Sequence, residues 1–173
     1  MNDFLNCLLY LAGISLALFL LGRVLPKEWF HGDKFPFCSF SFEKGGNLYC
    51  ALGVRKWKDS FPDMSVIVPF LMPSKKLPKT RSATQIRLMI QETCVAEWTH
   101  WMLCIIGFGC VFLWKKAGGW LLAVLYALGN IPYIIIQRYN RPKLIRLLHR
   151  FEAKESQKIY RSDWSCDLVG TEK

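Results

Sequence analysis

The chain has 173 residues, 52% of them apolar, and a formal net charge of +10. Its seven cysteines are scattered without a C-x-x-C pair, so neither a zinc site nor a dithiol redox centre is signalled, and no metal or cofactor is expected. The basic residues flank apolar stretches rather than forming a basic domain of their own, which argues against nucleic acid as a partner.

Residues 4–22 carry no charge and are long enough to cross a hydrocarbon core, which takes roughly 20 residues at about 1.5 Å each. They read as an uncleaved anchor. The alternative, a cleaved signal peptide, fits less well, because the segment before the apolar run holds Asp3 and no Lys or Arg, and no A-x-A-like site follows. Residues 23–95 form a long loop. Within it, 29–58 are dense in aromatics, a composition that suits the headgroup zone, and residues 61–73 are apolar but too short to span, which suggests a re-entrant or interfacial piece. Lys75 to Arg81 is a basic link.

Ser82 with Gln85 three residues later is a capping-box signature, and a helical pattern then runs through Ile86, Met89, Ile90 and Thr93 into a second span at 97–114. A third span covers 118–137 and contains Pro132, which should kink it. Pro142 then predicts a break, followed by a tail helix over 143–160 that sets Leu144, Ile145, Leu147, Leu148 and Phe151 against Lys143, Arg146, Arg150 and Lys154. The expected fold is an all-α integral membrane protein, one domain of about three transmembrane helices with interfacial segments. Of the 23 Lys and Arg, none precede the first span, 12 lie between Arg23 and Arg87, two sit at 115–116 and nine follow Gln137. That bias predicts a multi-pass protein of the cell membrane with the N-terminus outside and the large loop and C-terminus cytoplasmic. Cys38 and Cys50 lie in that loop and could pair only if it faced an oxidising side. An oligomer is allowed, but no stripe of small residues beyond Gly118-Gly119 supports one.

Polar residues cluster at two places. The first is Glu92-Thr93-Cys94-Val95-Ala96-Glu97-Trp98-Thr99-His100. At ~100° per residue, Glu97 and His100 share one helix face, about 60° apart. A carboxylate can hold one imidazole nitrogen and leave the other as a general base. The same E-x-x-H spacing occurs in di-iron bundles, but one copy does not make that site. The second cluster is Asn130-Ile131-Pro132 with Gln137-Arg138-Tyr139-Asn140-Arg141-Pro142, where Arg138 and Arg141 could fork onto phosphate or carboxylate. A bland reading exists for each: a snorkelling helix end for the first and an arginine-rich flank for the second. Arg55-Lys56-Trp57-Lys58-Asp59 reads either as an interfacial anchor or as a receiver of an anionic or sugar headgroup.

The succession of Trp29-Phe30, Glu43-Lys44-Gly45-Gly46 with Tyr49, Lys56-Trp57-Lys58-Asp59, E-T-C-x-A-E-W-x-H from Glu92 to His100, and N-I-P-x-I-I-I-Q-R-Y-N-R-P from Asn130 to Pro142 resembles the glycosyl-4,4′-diaponeurosporenoate acyltransferase family. The resemblance spans about residues 25–145 and implies esterification of a sugar hydroxyl by a fatty acyl group, on a glycosylated carotenoid or another glycolipid. The chain lacks the H-x4-D pairing of common glycerolipid acyltransferases, so roles rest on local chemistry. His100 is expected to be the base and Glu97 its orienter. Arg138, Asn140 and Arg141 are expected to hold the donor headgroup or steady the oxyanion, Glu92 and Asn130 to line the pocket, and Trp57 and Lys58 to meet the substrate. Expected partners are membrane lipid, a glycolipid acceptor, and an acyl donor that is an acyl-CoA, an acyl carrier protein or a phospholipid. A non-enzymatic lipid-binding subunit and an intramembrane hydrolase are the alternatives.

Overall fold

The structure, a computed structural model, describes residues 2–60 and 82–169. Six α-helices appear there: α1 (Asp3–Val24), α2 (Asn47–Ala51), α3 (Val54–Trp57), α4 (Ala83–Gly107), α5 (Cys110–Leu113) and α6 (Ala117–Val169). There is no strand among the described residues. The uncharged runs read from the sequence fall inside α1, α4–α5 and α6, and three helices are long and apolar enough to cross a membrane. The chain is therefore an all-α membrane protein.

The three long helices stand antiparallel in sequence order. At one end Cys7, Leu11, Cys110 and Ala123 form a closed apolar layer. Further along, Tyr10 Oη donates to the Ile106 carbonyl at 2.7 Å, and Ser15 Oγ and Tyr126 Oη share a hydrogen at 2.7 Å. At the opposite end Arg23 reaches Glu92 at 3.4 Å, and Arg87 reaches Glu152 at 2.6 Å. Hydrocarbon is as apolar as the side chains it would replace, so close approach and polar contacts hold such a bundle. Gly107 is an instance: a methyl group there would lie 2.7 Å from a Tyr126 ring carbon, so only glycine lets that ring seat on α4. Outward-facing Leu16, Ile105, Phe112, Leu121 and Leu125 are left to meet lipid.

The helix expected from Ser82 into the second span is present: α4 starts at Ala83. The Ser82–Gln85 capping box closes that N-terminus reciprocally, with Gln85 N donating to Ser82 Oγ at 3.2 Å and Ser82 N to Gln85 Oε1 at 3.4 Å. One boundary differs from the sequence expectation: Pro142 was expected to end the third helix, yet α6 runs unbroken through Pro132 and Pro142, so the predicted tail helix 143–160 is its continuation. An interior proline costs about 3 kcal/mol or more. Anchors on both sides offset that cost: Tyr139 is buried against Tyr49 and Val54, and Arg138, Arg141 and Arg146 all bind the preceding loop.

That loop, 25–60, folds as short helical turns over the middle of α4 and α6. Phe30 packs on Cys94 and Val95, and Tyr49 and Val54 pack on Tyr139. Trp29, Phe35 and Phe42 point outward. The proposed interfacial segment 61–73 and the basic link to Arg81 lie outside the described residues.

Candidate active site

Two polar layers lie across α4 and α6, one above the other. The upper layer is a buried ion network. Glu97 is 2% exposed, and both its oxygens are taken by arginines: Oε1 by Arg138 Nη1 at 2.6 Å and Oε2 by Arg141 Nη2 at 2.5 Å. Arg138 Nε also donates to Glu43 Oε1 at 2.5 Å, and its Nη2 to the Cys38 carbonyl at 3.1 Å. Arg141 donates to Thr93 Oγ1 and to the Thr93 carbonyl, both at 3.0 Å, and to the Phe37 carbonyl at 2.6 Å. Each guanidinium lies over an aromatic ring of the loop, Arg138 on Phe40 at 4.6 Å and Arg141 on Phe37 at 5.4 Å. With two cations and two carboxylates, the network is electrically neutral.

Glu43, 1% exposed, is the loop's contribution. Besides Arg138 it accepts from Tyr49 Oη and from the Phe40 amide, the latter at 2.9 Å. Burial opposes its ionisation, but the hydrogen bonds from Arg138, Tyr49 and the Phe40 amide outweigh that, and the carboxyl is held below its ordinary range. Burial and the bond to Glu43 push the Tyr49 phenol up to about 12. Gly32 lets the loop cross Arg141, because a methyl there would lie 2.5 Å from Ile90 Cγ2 and 3.2 Å from Arg141 Cδ.

The lower layer sits one turn deeper on α4, about 4.5 Å along the axis. His100 Nδ1 and Asn130 Oδ1 are 2.8 Å apart, and the imidazole stacks on Tyr133 with ring centres 4.8 Å apart. Asn130 Nδ2 donates to the Tyr126 carbonyl at 2.9 Å. A carbonyl can only accept, so this bond fixes the amide orientation and turns Oδ1 to the histidine. Oδ1 in turn can only accept, so His100 Nδ1 carries the hydrogen. In the neutral imidazole the lone pair is therefore on Nε2.

The candidates read from the sequence separate into three groups. Asn130 and His100 form a pair, with Asn130 in the orienting place expected for Glu97. Glu97 is on the expected helix face, but its carboxylate turns to the arginines, since two guanidinium donors outbid one imidazole for a buried carboxylate. Arg138 and Arg141 come together but are largely spent on internal partners. Glu92 stands apart, bound to Arg23 and Lys27. Trp57 Nε1 donates to the Leu52 carbonyl at 3.3 Å and Lys58 pairs with Asp59 at 3.1 Å, both local contacts of the loop. Asn140 is half-buried and makes no hydrogen bond to either layer among the described residues. The sequence reading gave no role to Glu43, Tyr49, Thr93 or Tyr133. Glu43, Tyr49 and Thr93 do stand in the motifs that carry the family resemblance, whereas Tyr133 falls at an unspecified position of its motif.

The sequence model of the family described as glycosyl-4,4′-diaponeurosporenoate acyltransferase matches residues 26–150. The chain belongs to that family. Both polar layers lie inside the matched region, and α1 outside it. Among curated relatives, the glycosyl-4,4′-diaponeurosporenoate acyltransferase of Staphylococcus aureus strain Newman is 32% identical over 152 residues, which is 86% of this chain and 89% of the relative. Those of strains N315 and USA300 are each 33% identical over 146 residues, 82% of this chain and 86% of each relative. No solved structure matches the chain. Membership of the acyltransferase family thus agrees with the resemblance drawn from the motifs.

Proposed function

We propose that this chain is a membrane acyltransferase that moves a fatty acyl group onto a hydroxyl of a glycolipid, a glycosylated carotenoid or a similar lipid. The observation that carries the residue assignment is the His100–Asn130 pair, which leaves Nε2 as the basic nitrogen. Ester formation needs a base at the attacking hydroxyl, held by a third group that fixes its tautomer. His100 Nε2 takes the proton from the acceptor hydroxyl as its oxygen bonds to the acyl carbonyl carbon. The tetrahedral intermediate collapses, the bond to the donor's sulfur or oxygen breaks, and that leaving group departs with the proton from Nε2. His100 is neutral again at the end of the cycle.

Asn130 orients the imidazole and Tyr133 packs its face. Glu97, Arg138, Arg141 and Glu43 hold the loop and the two helices in register above it. The basic loop and tail support a cytoplasmic position for this end of the bundle, where acyl-CoA and acyl carrier protein are available as donors.

The test is acyl transfer from a labelled donor into membrane lipids, with the acylated product identified by mass spectrometry. His100→Ala is expected to lower turnover by about 100-fold or more, the usual range for loss of a general base, with unchanged protein level in the membrane. Undiminished turnover would sink the assignment of His100. Free fatty acid in place of an acylated lipid would make the protein a hydrolase instead.

A further inference from the structure

The chemistry proposed above leaves a concavity among the described residues unused. It is a cleft of about 220 Å³ between the loop and the outer face of α6, next to the ion network and above the His100 layer. Phe37 and Ser39 line one side, Ile145 and Arg146 the other, with Arg138 and Arg141 at its base. Pockets that enclose a whole drug-sized ligand measure roughly 300–1,000 Å³. This cleft therefore suits a headgroup whose remainder lies outside.

Its charge selects the headgroup. Glu43 is the only carboxylate among the lining residues, and three donors already satisfy it. Three guanidiniums line the same space. A guanidinium has five N–H groups. Arg138 uses four on Glu43, Glu97 and the Pro36 and Cys38 carbonyls. Arg141 likewise uses four on Thr93 Oγ1, the Thr93 and Phe37 carbonyls and Glu97. One donor remains on each among the described residues. Arg146 is exposed and makes one bond, to the Gly45 carbonyl at 3.1 Å, so most of its fork is open to a ligand. The exposed Ser39 hydroxyl adds a further donor. Phe37 and Ile145 supply an apolar wall. Donors from three arginines and a hydroxyl, in a cleft whose carboxylate is already satisfied, match the oxygens of a phosphate.

We propose that this cleft is a phosphate-binding subsite, with Arg146 as its principal ligand and Ser39, Arg138 and Arg141 in support. Two acyl carriers bring a phosphate to a membrane surface, an acyl thioester through its phosphopantetheine arm and a phospholipid through its headgroup. The site rests on ion-pair geometry and does not depend on His100 being the base.

The experiment is equilibrium binding to the purified full-length protein in neutral detergent micelles, with coenzyme A and short-chain phosphatidylglycerol as probes. At least one is expected to bind, with affinity falling as salt rises. Arg146→Gln should weaken that binding at least tenfold, while His100→Ala binds as tightly as the wild type. Arg146 is a rim residue outside the neutral network, so its loss should leave the fold intact, which circular dichroism checks. Binding of coenzyme A assigns the site to a thioester donor, and binding of the lipid alone assigns it to a phospholipid. If neither probe binds, or if Arg146→Gln binds both as tightly as the wild type, the proposal is overturned. Loss of acyl transfer in His100→Ala with binding retained separates a failure of this site from a failure of the catalytic reading.

Discussion

Glu97→Gln distinguishes a clasp from a catalytic acid. Gln is isosteric with Glu, but it is neutral and turns an amide NH2 toward one of two guanidinium forks. The buried network then changes from two cations against two carboxylates to a net charge of +1, with one arginine facing a donor. Glu97 and Arg141 are each 2% exposed, so solvent screens little of this. Removing one partner of a buried pair costs about 3–5 kcal/mol. For a chain of this length each kcal/mol shifts the unfolding temperature by roughly 2–4 °C, so the expected drop is about 6–20 °C. Tryptophan fluorescence during heating of the purified protein in micelles measures it. Turnover per folded molecule, assayed well below the transition, should stay within about threefold of wild type, because His100 keeps Asn130. An unchanged unfolding temperature combined with a collapse in turnover matching His100→Ala would refute the clasp and return Glu97 to the chemistry.

Other outcomes follow from the same geometry. Asn130→Ala removes one hydrogen bond that fixes the imidazole, worth about 1 kcal/mol, and is expected to lower kcat about five- to tenfold with KM little changed. Asn130→Asp keeps an acceptor at Nδ1 and should recover most of that rate; equal kcat in wild type and Asn130→Ala would remove the orienting role. Glu43 is held below its ordinary range, so its contribution to stability is complete above the unfolded carboxylate value of about 4.3. It is lost as pH falls through the lower folded value, and unfolding midpoints taken from pH 7 to pH 3 should show this limb flattened in Glu43→Gln. Tyr49 acts with the opposite sign at the alkaline end: its stabilisation is present below about 10 and lost as pH rises toward its folded value of about 12.

The first and third spans were legible because charge is absent from them, and a charge-free run of that length has few other uses; the second carries Glu97 at its entrance. The start of α4 was legible because Ser82 and Gln85 are a local signal whose partners sit three residues apart. Pro142 misled for the converse reason. Its local preference is to end a helix, and what overrides it comes from residues 37–54, which no window around Pro142 contains. Glu43 and Arg138 are 95 residues apart, and Arg141 and Thr93 are 48 apart. Spacing along one helix placed Glu97 and His100 on one face correctly. It could not say which neighbour would win the carboxylate, because that depends on side chains arriving from another helix.

The ion network also answers a difficulty that a loop at the membrane edge creates. Irregular backbone near hydrocarbon is tolerated only where protein satisfies its polar groups. The Pro36, Phe37 and Cys38 carbonyls receive guanidinium hydrogens from Arg138 and Arg141, and the Gly45 carbonyl receives one from Arg146. Arg138 and Arg141 lie about one turn apart on α6 and Arg146 follows more than a turn later, so a short stretch of one helix fastens two stretches of the loop. Two of them are neutralised by Glu97 and Glu43, and that neutrality permits their burial. Arg146 has no carboxylate partner among the described residues and stays at the surface. The same row of arginines thus divides by depth: two hold the loop in place, and the third is left with charge and donors to offer a ligand.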